Sequence, residues 1–258
     1  MPNESPKHGI VGFFDILGYS SFLENNPVEM AVEVIRNFQI RIPEEVTKRV
    51  TDMIPSGSQP ASEESLSLLM KMKWLVFSDT IVIALSYDAS INPLMNYMNW
   101  LVFFPVTMVL NQTMFQNGLP LRGAISFGEF YMESNFLAGK PFVEAHRMAN
   151  NLDLCACVLN QSAKKEYEEM FGKIAKVPGI QNPPNLAQLT FDYLVPLKDG
   201  SSMRLPTLGL YPGPDEDIPQ IVSESFWKHK KEIPAEAISK LNNTVLFLRY
   251  VKMQKKHN

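Results

Sequence analysis

Histidine and cysteine are scarce in this chain, with four and two residues among 258. The histidines, His8, His146, His229 and His257, are scattered without ligand spacing, and Cys155-Ala-Cys157 has no histidine partner nearby. That leaves no zinc-site pattern, and a disulfide across a single residue is geometrically disfavoured. If the segment is a strand, both thiols point to one side, buried and reduced. The polar, acid-bearing start "MPNESPKHG" lacks the apolar stretch of a secretion signal, so the expected compartment is the cytoplasm. Charge of one sign is lacking too. Lysine and arginine total 24 against 27 acids, a net charge of -3, which leaves no general basic surface for nucleic acid. The terminal Lys252, Lys255 and Lys256 read as a solvated helix tail. Long apolar runs are missing as well. The longest, "WLVFFPVTMVL" from Trp100 to Leu110, is about half the ~20 residues of a membrane span and contains Pro105, so it reads as a core helix. No internal repeat and no G-x-x-x-x-G-K-[ST] phosphate loop occurs.

What is present is an ordinary globular composition, 45% hydrophobic and 20% charged. "HGIVGFFDI" reads as a buried strand. "SFLE", Ser21 to Glu24, has the capping-box spacing of a helix start. Helical spacing runs from Val28 to Ile42, and Pro43 then suits the first turn of a second helix. "IPSGSQPASEES" is a loop, and "MKWLVF" and "TIVIAL" form a tight hairpin around Ser78 and Asp79. A long buried helix then ends near Gly118 as its C-cap. An antiparallel pair follows around "LPLRGAISFGEFYM" and "FLAG", then the helix "KPFVEAHRMANNL" and the strand "LCACVL". Beyond residue 175 come a proline-rich connector, the strand "LTFDYLVPL", a loop "LYPGPDEDIPQ" and a closing helix. Antiparallel hairpins backed by helices indicate an α+β fold rather than a doubly wound parallel sheet. The expected division is a domain over 8–174 and a C-terminal extension over 175–258, packed on it.

Two acids interrupt apolar strand regions. Asp15 ends the first strand, and Asp79 sits at the hairpin tip. If these strands are neighbours, both carboxylates converge on one point, where they repel unless a proton or a cation intervenes. An all-oxygen site of that kind suits Mg²⁺ or Mn²⁺, and two such ions can activate a hydroxyl and stabilise a leaving phosphate. A helix cap or a turn is the plainer reading of either acid alone. Gly18, Tyr19, Ser20 and Ser21 follow Asp15 into a helix start, a candidate anion site.

"FFDILGYS", Phe13 to Ser20, resembles the F-x-D-I-x-G-F-[ST] signature of class III nucleotidyl cyclases. "FSDT" at 77–80 falls where that family carries its second metal-binding Asp. "LRGAISFG" at 121–128 is similar to its [VI]-R-x-G-I-x-x-G strand. "AGKPFVEAHRM" at 138–148 is similar to its G-x-x-V-N-x-A-x-R-[LM] helix. Val143 stands in place of the family's transition-state Asn, and Leu75 in place of its adenine-reading Lys. The phrases "FSDTI", "LRGAIS" and "NNTVLFL" look more like the bacterial pyrimidine cyclases of Pycsar antiphage systems.

The resemblance implies a ferredoxin-like antiparallel sheet packed with helices. It also implies cyclisation of UTP, in preference to CTP, to the 3′,5′-cyclic monophosphate in a homodimer with active sites at its interface. The product would act on a downstream effector. Asp15, the Ile16 carbonyl and Asp79 would hold two Mn²⁺ or Mg²⁺ ions. Backbone N–H groups from Leu17 through Gly18 to Tyr19 would hold the triphosphate. Arg147, from the other subunit, would face the developing charge, with Arg122 as the second candidate, and Phe14 would stack on the base. The rival readings are a catalytically inactive cyclase-fold module that binds a nucleotide or protein, and a two-metal phosphotransfer domain related to polymerase palms. No G-G-[DE]-[EF] hairpin points to a diguanylate cyclase.

Overall fold

The computed structural model describes residues 5–54, 60–87, 93–133, 136–180, 182–210, 212–213, 215–232 and 235–255. The chain folds as α+β. Strands β1 (Lys7–Ile16), β2 (Lys73–Phe77), β3 (Thr80–Ser86), β4 (Leu121–Glu133), β6 (Cys157–Leu159), β7 (Phe191–Pro196) and β8 (Ser202–Leu208) lie in the order β2-β3-β1-β4-β6-β8-β7. β5 (Phe136–Gly139) pairs with β4. Every pairing is antiparallel except β4 with β6. β8 and β7 therefore continue the same sheet beyond β6.

The strand period of two sorts the apolar residues of β1 onto two faces. Ile10, Phe14 and Ile16 join one core cluster, with α2 (Val28–Met53), α4 (Pro93–Gln116) and α6 (Gln161–Ile174). Val11, Phe13 and Leu17 join a second cluster, with α5 (Lys140–Asn151), α8 (Ile218–Trp227) and α9 (Ala235–Lys255). Asp15 falls on the second face by that alternation. α4 is long and apolar enough for a membrane span by length and composition, yet Trp100, Phe103, Phe104, Val106 and Leu110 are buried inside the fold. The helix ends as expected: Gly118 has φ +77, and the Leu119 N–H returns to the Met114 carbonyl at 2.9 Å.

Several local expectations need correction. Pro43 does not start a helix; α2 runs through it from Val28 to Met53. Phe38, Ile42, Val46 and Val50 recur every fourth residue and are all buried, and that shared face outweighs the ~3 kcal/mol an internal proline costs. Ser21 to Glu24 is not a capping box, because α1 (Tyr19–Glu24) starts two residues earlier with Gly18 as its N-cap and no side-chain cap. α3 (Pro60–Lys71) begins inside the segment read as a loop, of which 55–59 lie outside the described residues, as do Lys256 and His257. α6, the short α7 (Leu186–Leu189), α8 and β8 were not foreseen. α8 carried a legible signal within "DEDIPQ": the Asp217 side chain accepts from the Gln220 N–H, and a proline opens the helix.

The cysteines are free and fully buried, but they do not face the same side. β6 begins only at Cys157, so strand alternation does not relate the pair. Cys155 packs in the α5 cluster and Cys157 in the α4 cluster. Burial pushes the Cys155 thiol up to about 12 and raises Cys157 as well. Neither thiol is expected to react with an aromatic disulfide reagent in the native protein at neutral pH. Both should react once it is denatured, as a timed absorbance trace would read out.

Candidate active site

β1 is the strand on which the acids meet. In register, Asp15 lies between Thr80 on β3 and Arg122 on β4. The Ile16 N–H donates to the Asp79 carbonyl at 3.0 Å, which ties the hairpin tip to the end of β1. The two-residue loop is Ser78-Asp79, and Ser78 takes the positive φ (53°) such a turn needs in place of glycine. Past Ile16 the chain turns at Gly18, φ +78, where any other residue would be strained.

The Arg122 guanidinium grips Asp15. Its Nε donates to Asp15 Oδ2 at 2.7 Å and its Nη2 approaches the same oxygen at 2.6 Å. Arg122 is held in turn by the Asn150 carbonyl at 3.2 Å and Asn150 Oδ1 at 2.9 Å. The two side chains are only 14% and 12% exposed. Burial raises the Asp15 pKa; Arg122 pulls it back down, and Asp79 raises it again through its charge and as a hydrogen-bonding neighbour. The two carboxyl groups therefore meet as neighbours, with Arg122 supplying, among the described residues, the one positive charge bonded directly to Asp15.

Around them opens a cleft of 460 Å³ bordered by Asp15, Asp79, Arg122, the Ile16–Ser21 turn and residues of the C-terminal segment. Those last include Lys198, Lys231 and Lys240, which sequence reasoning missed because isolated lysines in a connector or helix carry no pattern. Lys198 is fixed by its main chain: its N–H donates to the Asn151 carbonyl at 2.9 Å, one residue beyond the Asn150 that holds Arg122. Burial, then Arg122 and Lys240, lower the Lys198 pKa. A larger cleft of 680 Å³, between the end of α4 and α8, is bordered by Glu216 and Glu224, whose carboxylates accept from the Gly213 N–H and the Gln220 side-chain amide.

Of the residues read from sequence, Asp15, Ile16, Gly18, Tyr19, Asp79 and Arg122 all border the one cleft. Leu17 borders it too, but its side chain is buried and its N–H is committed to the Pro120 carbonyl at 2.9 Å, so it is not a phosphate donor. Phe14 is not a base-stacking residue. It is fully buried on the opposite face of β1, and a Cβ on Gly123 would sit 2.4 Å from its ring. Arg147 and Val143 are exposed one turn apart on α5, and neither borders the cleft of its own chain.

Among the described residues no three His, Cys, Asp or Glu side chains gather as a metal cage. Two carboxylates and the Ile16 carbonyl nevertheless make an oxygen-only donor set. Mg²⁺-like ions are commonly held by one or two carboxylates, with water and substrate phosphate completing the shell. The mutual repulsion of Asp15 and Asp79 favours such a cation, so the residues fit the group.

No protein-family model matches the sequence, and no curated protein matches it. Among solved structures the chain is similar to the adenylyl cyclase CyaB from P. aeruginosa, at 13% identity over 66% of this chain and 83% of that one, with a TM-score of 0.41. It is similar to the guanylyl cyclase Cya2, at 13% identity over 79% and 91%, with a TM-score of 0.40. A bacterial light-regulated adenylyl cyclase is similar at 14% identity over 64% and 82%, with a TM-score of 0.38.

Proposed function

We propose that this chain is a nucleotidyl cyclase that converts a pyrimidine nucleoside triphosphate, UTP in preference to CTP, to its 3′,5′-cyclic monophosphate and pyrophosphate. The observation that carries the reading is the meeting of Asp15 and Asp79 in one cleft with Arg122, beside the Gly18 turn. The ribose 3′-oxygen forms a bond to the α-phosphorus, the bond to the bridging oxygen of pyrophosphate breaks, and the hydroxyl proton leaves to solvent. Asp15, Asp79 and the Ile16 carbonyl would hold the Mn²⁺ or Mg²⁺ ions. When bound, those ions supply a lowered pKa at the attacking hydroxyl and charge neutralisation at the phosphates.

The chain's own residues position and compensate. Arg122, fastened by Asn150, presents a fixed guanidinium beside the reacting phosphate, where charge builds. Arg147, outside the cleft of its own chain, is assigned to the cleft of a second copy in a homodimer. Leu75, half-buried against the second core cluster, offers no charged reader for a purine, which supports a pyrimidine base. The product would serve in the cytoplasm as a second messenger in antiphage defence. Val143, in place of the family's asparagine, favours the second reading, a catalytically inactive module that binds a nucleotide or a protein.

Incubation of the protein with each of the four ribonucleoside triphosphates and Mn²⁺ tests the proposal. Cyclic UMP and pyrophosphate in equal amounts are the expected products. Folded protein that yields no cyclic product from any triphosphate would overturn it.

A further inference from the structure

The segment Lys228–Glu232, between α8 and α9, straps the end of α4 to α1 beside the cleft. Its main chain passes through two consecutive non-glycine residues in the left-handed region, His229 at φ 62° and Lys230 at φ 54°. Such a conformation persists only where surrounding contacts over-determine it. Those contacts are present on both sides. Towards α1, Asn26 Nδ2 donates to the His229 carbonyl at 2.6 Å, and the Glu232 N–H donates to Ser21 Oγ at 2.7 Å. Towards the end of α4, Lys228 Nζ donates to the Gln116 carbonyl at 3.2 Å, and the His229 ring meets the Asn117 carbonyl at 2.8 Å.

What the strap fixes in place is Lys231. This lysine is only 5% exposed, and its stem lies across Gly18, where a Cβ would come within 3.3 Å of Lys231 Cδ. Its Nζ donates to the Gly118 carbonyl at 2.6 Å and to the Ser225 carbonyl at 3.3 Å. An ammonium has three N–H donors, so two neutral acceptors leave one donor over. Among the described residues no carboxylate forms an ion pair with Lys231. Burial pushes its pKa down to about 8, with only Cys155 raising it. A buried cation without a counter-charge is costly and is seldom kept without a use. Lys231 also borders the cleft that holds Asp15 and Asp79, next to the turn from Ile16 to Ser21.

We propose that Lys231 is a polyphosphate-binding residue, its stem held by the strap against the Gly18 turn so that a bound triphosphate supplies the anion the fold leaves out. This rests on the cleft being the nucleotide site proposed above. It places the cation for the phosphate tail in the C-terminal segment of the same chain that carries the two acids.

Binding of inorganic tripolyphosphate in Mg²⁺ buffer, followed by titration calorimetry, tests it. Lys231→Met keeps the stem and removes the charge, and should weaken binding at least about tenfold. Lys231→Arg should restore most of the affinity. Lys165→Met, at an exposed position on α6 outside the cleft, should bind as the parent does. A folded Lys231→Met protein with parental affinity would overturn the assignment. Should that variant not fold, the Lys231 Nζ resonance of the unaltered protein serves instead: it should shift on adding tripolyphosphate, and an unmoved resonance at saturation overturns the assignment. The two proposals separate cleanly. A parent that binds tripolyphosphate through Lys231 but cyclises no nucleotide loses the cyclase reading alone, whereas an active parent whose Lys231→Met variant keeps its affinity loses this one alone.

Discussion

Asp15→Asn is expected to cut cyclic nucleotide formation by about 10³-fold or more while leaving the melting temperature in metal-free buffer unchanged or higher. The activity loss follows from removing one of the two carboxylates that meet at the end of β1. The stability outcome follows from the direction of its pKa. Burial raises Asp15 above its ordinary 3.8 despite Arg122, so the folded state prefers the carboxyl neutral. A carboxyl with a raised folded pKa binds more protons folded than unfolded in the interval between the two values, so stability falls as pH rises through that interval. Asparagine stays neutral throughout and still offers Arg122 an oxygen. Its advantage should therefore be full above the folded pKa of Asp15 and fade towards pH 3.8. Melting curves in EDTA from acid to neutral pH would read this, and a variant that melts well below the parent at neutral pH would make Asp15 a structural ion-pair residue instead.

Arg122→Met should behave in the opposite sense. Arg122 is the cation bonded directly to Asp15, and its side chain is slightly more buried than the carboxylate it holds. Taking one partner from a buried pair leaves the other charge uncompensated, here beside a second carboxylate. A loss of about 2 kcal/mol, discounted for the open side of the cleft, is expected in metal-free buffer. For a chain of this size that is a fall of roughly 4–8 °C in melting temperature. Mn²⁺ should recover part of it, because a cation binding only the folded state stabilises by mass action. Activity should drop about 10²–10³-fold, since the positive charge beside the reacting phosphate is gone. An Arg122→Met protein that melts like the parent in EDTA would show that the Asp15 charge is compensated elsewhere.

The contrast between these variants marks what could be read from sequence. Asp15 and Asp79 were legible because an acid in an apolar strand is costly, and the strand pattern around each was strong enough to bring β1 and β3 together. The hairpins and α5 followed from the same periodicity. Arg122 was legible as a cation near the site, but its grip on Asp15 depends on the β1–β4 register, which no local pattern states. Alternation alone puts Phe14 on the face opposite Asp15; it was misplaced because the sequence does not say that helices cover that face and bury the ring. The C-terminal lysines had no signal at all. Lys198 reaches the cleft because the β7–β8 hairpin is pinned to the end of α5, and Lys231 because the strap spans α1 and α4, both long-range arrangements. Helix α8 is different, since its Asp217 cap and proline were written plainly within a segment that looked like a loop.

The account stands on Asp15 and Asp79 acting as one cation-holding pair. Titration of Mn²⁺ into the parent and into Asp79→Asn, each with 3′-deoxy-UTP, which lacks the attacking hydroxyl, tests this by the electron paramagnetic resonance signal of free Mn²⁺. The parent should take up Mn²⁺ from solution, and Asp79→Asn should do so at least about tenfold more weakly. Equal uptake by the two proteins would contradict the pair and leave Asp79 a turn residue.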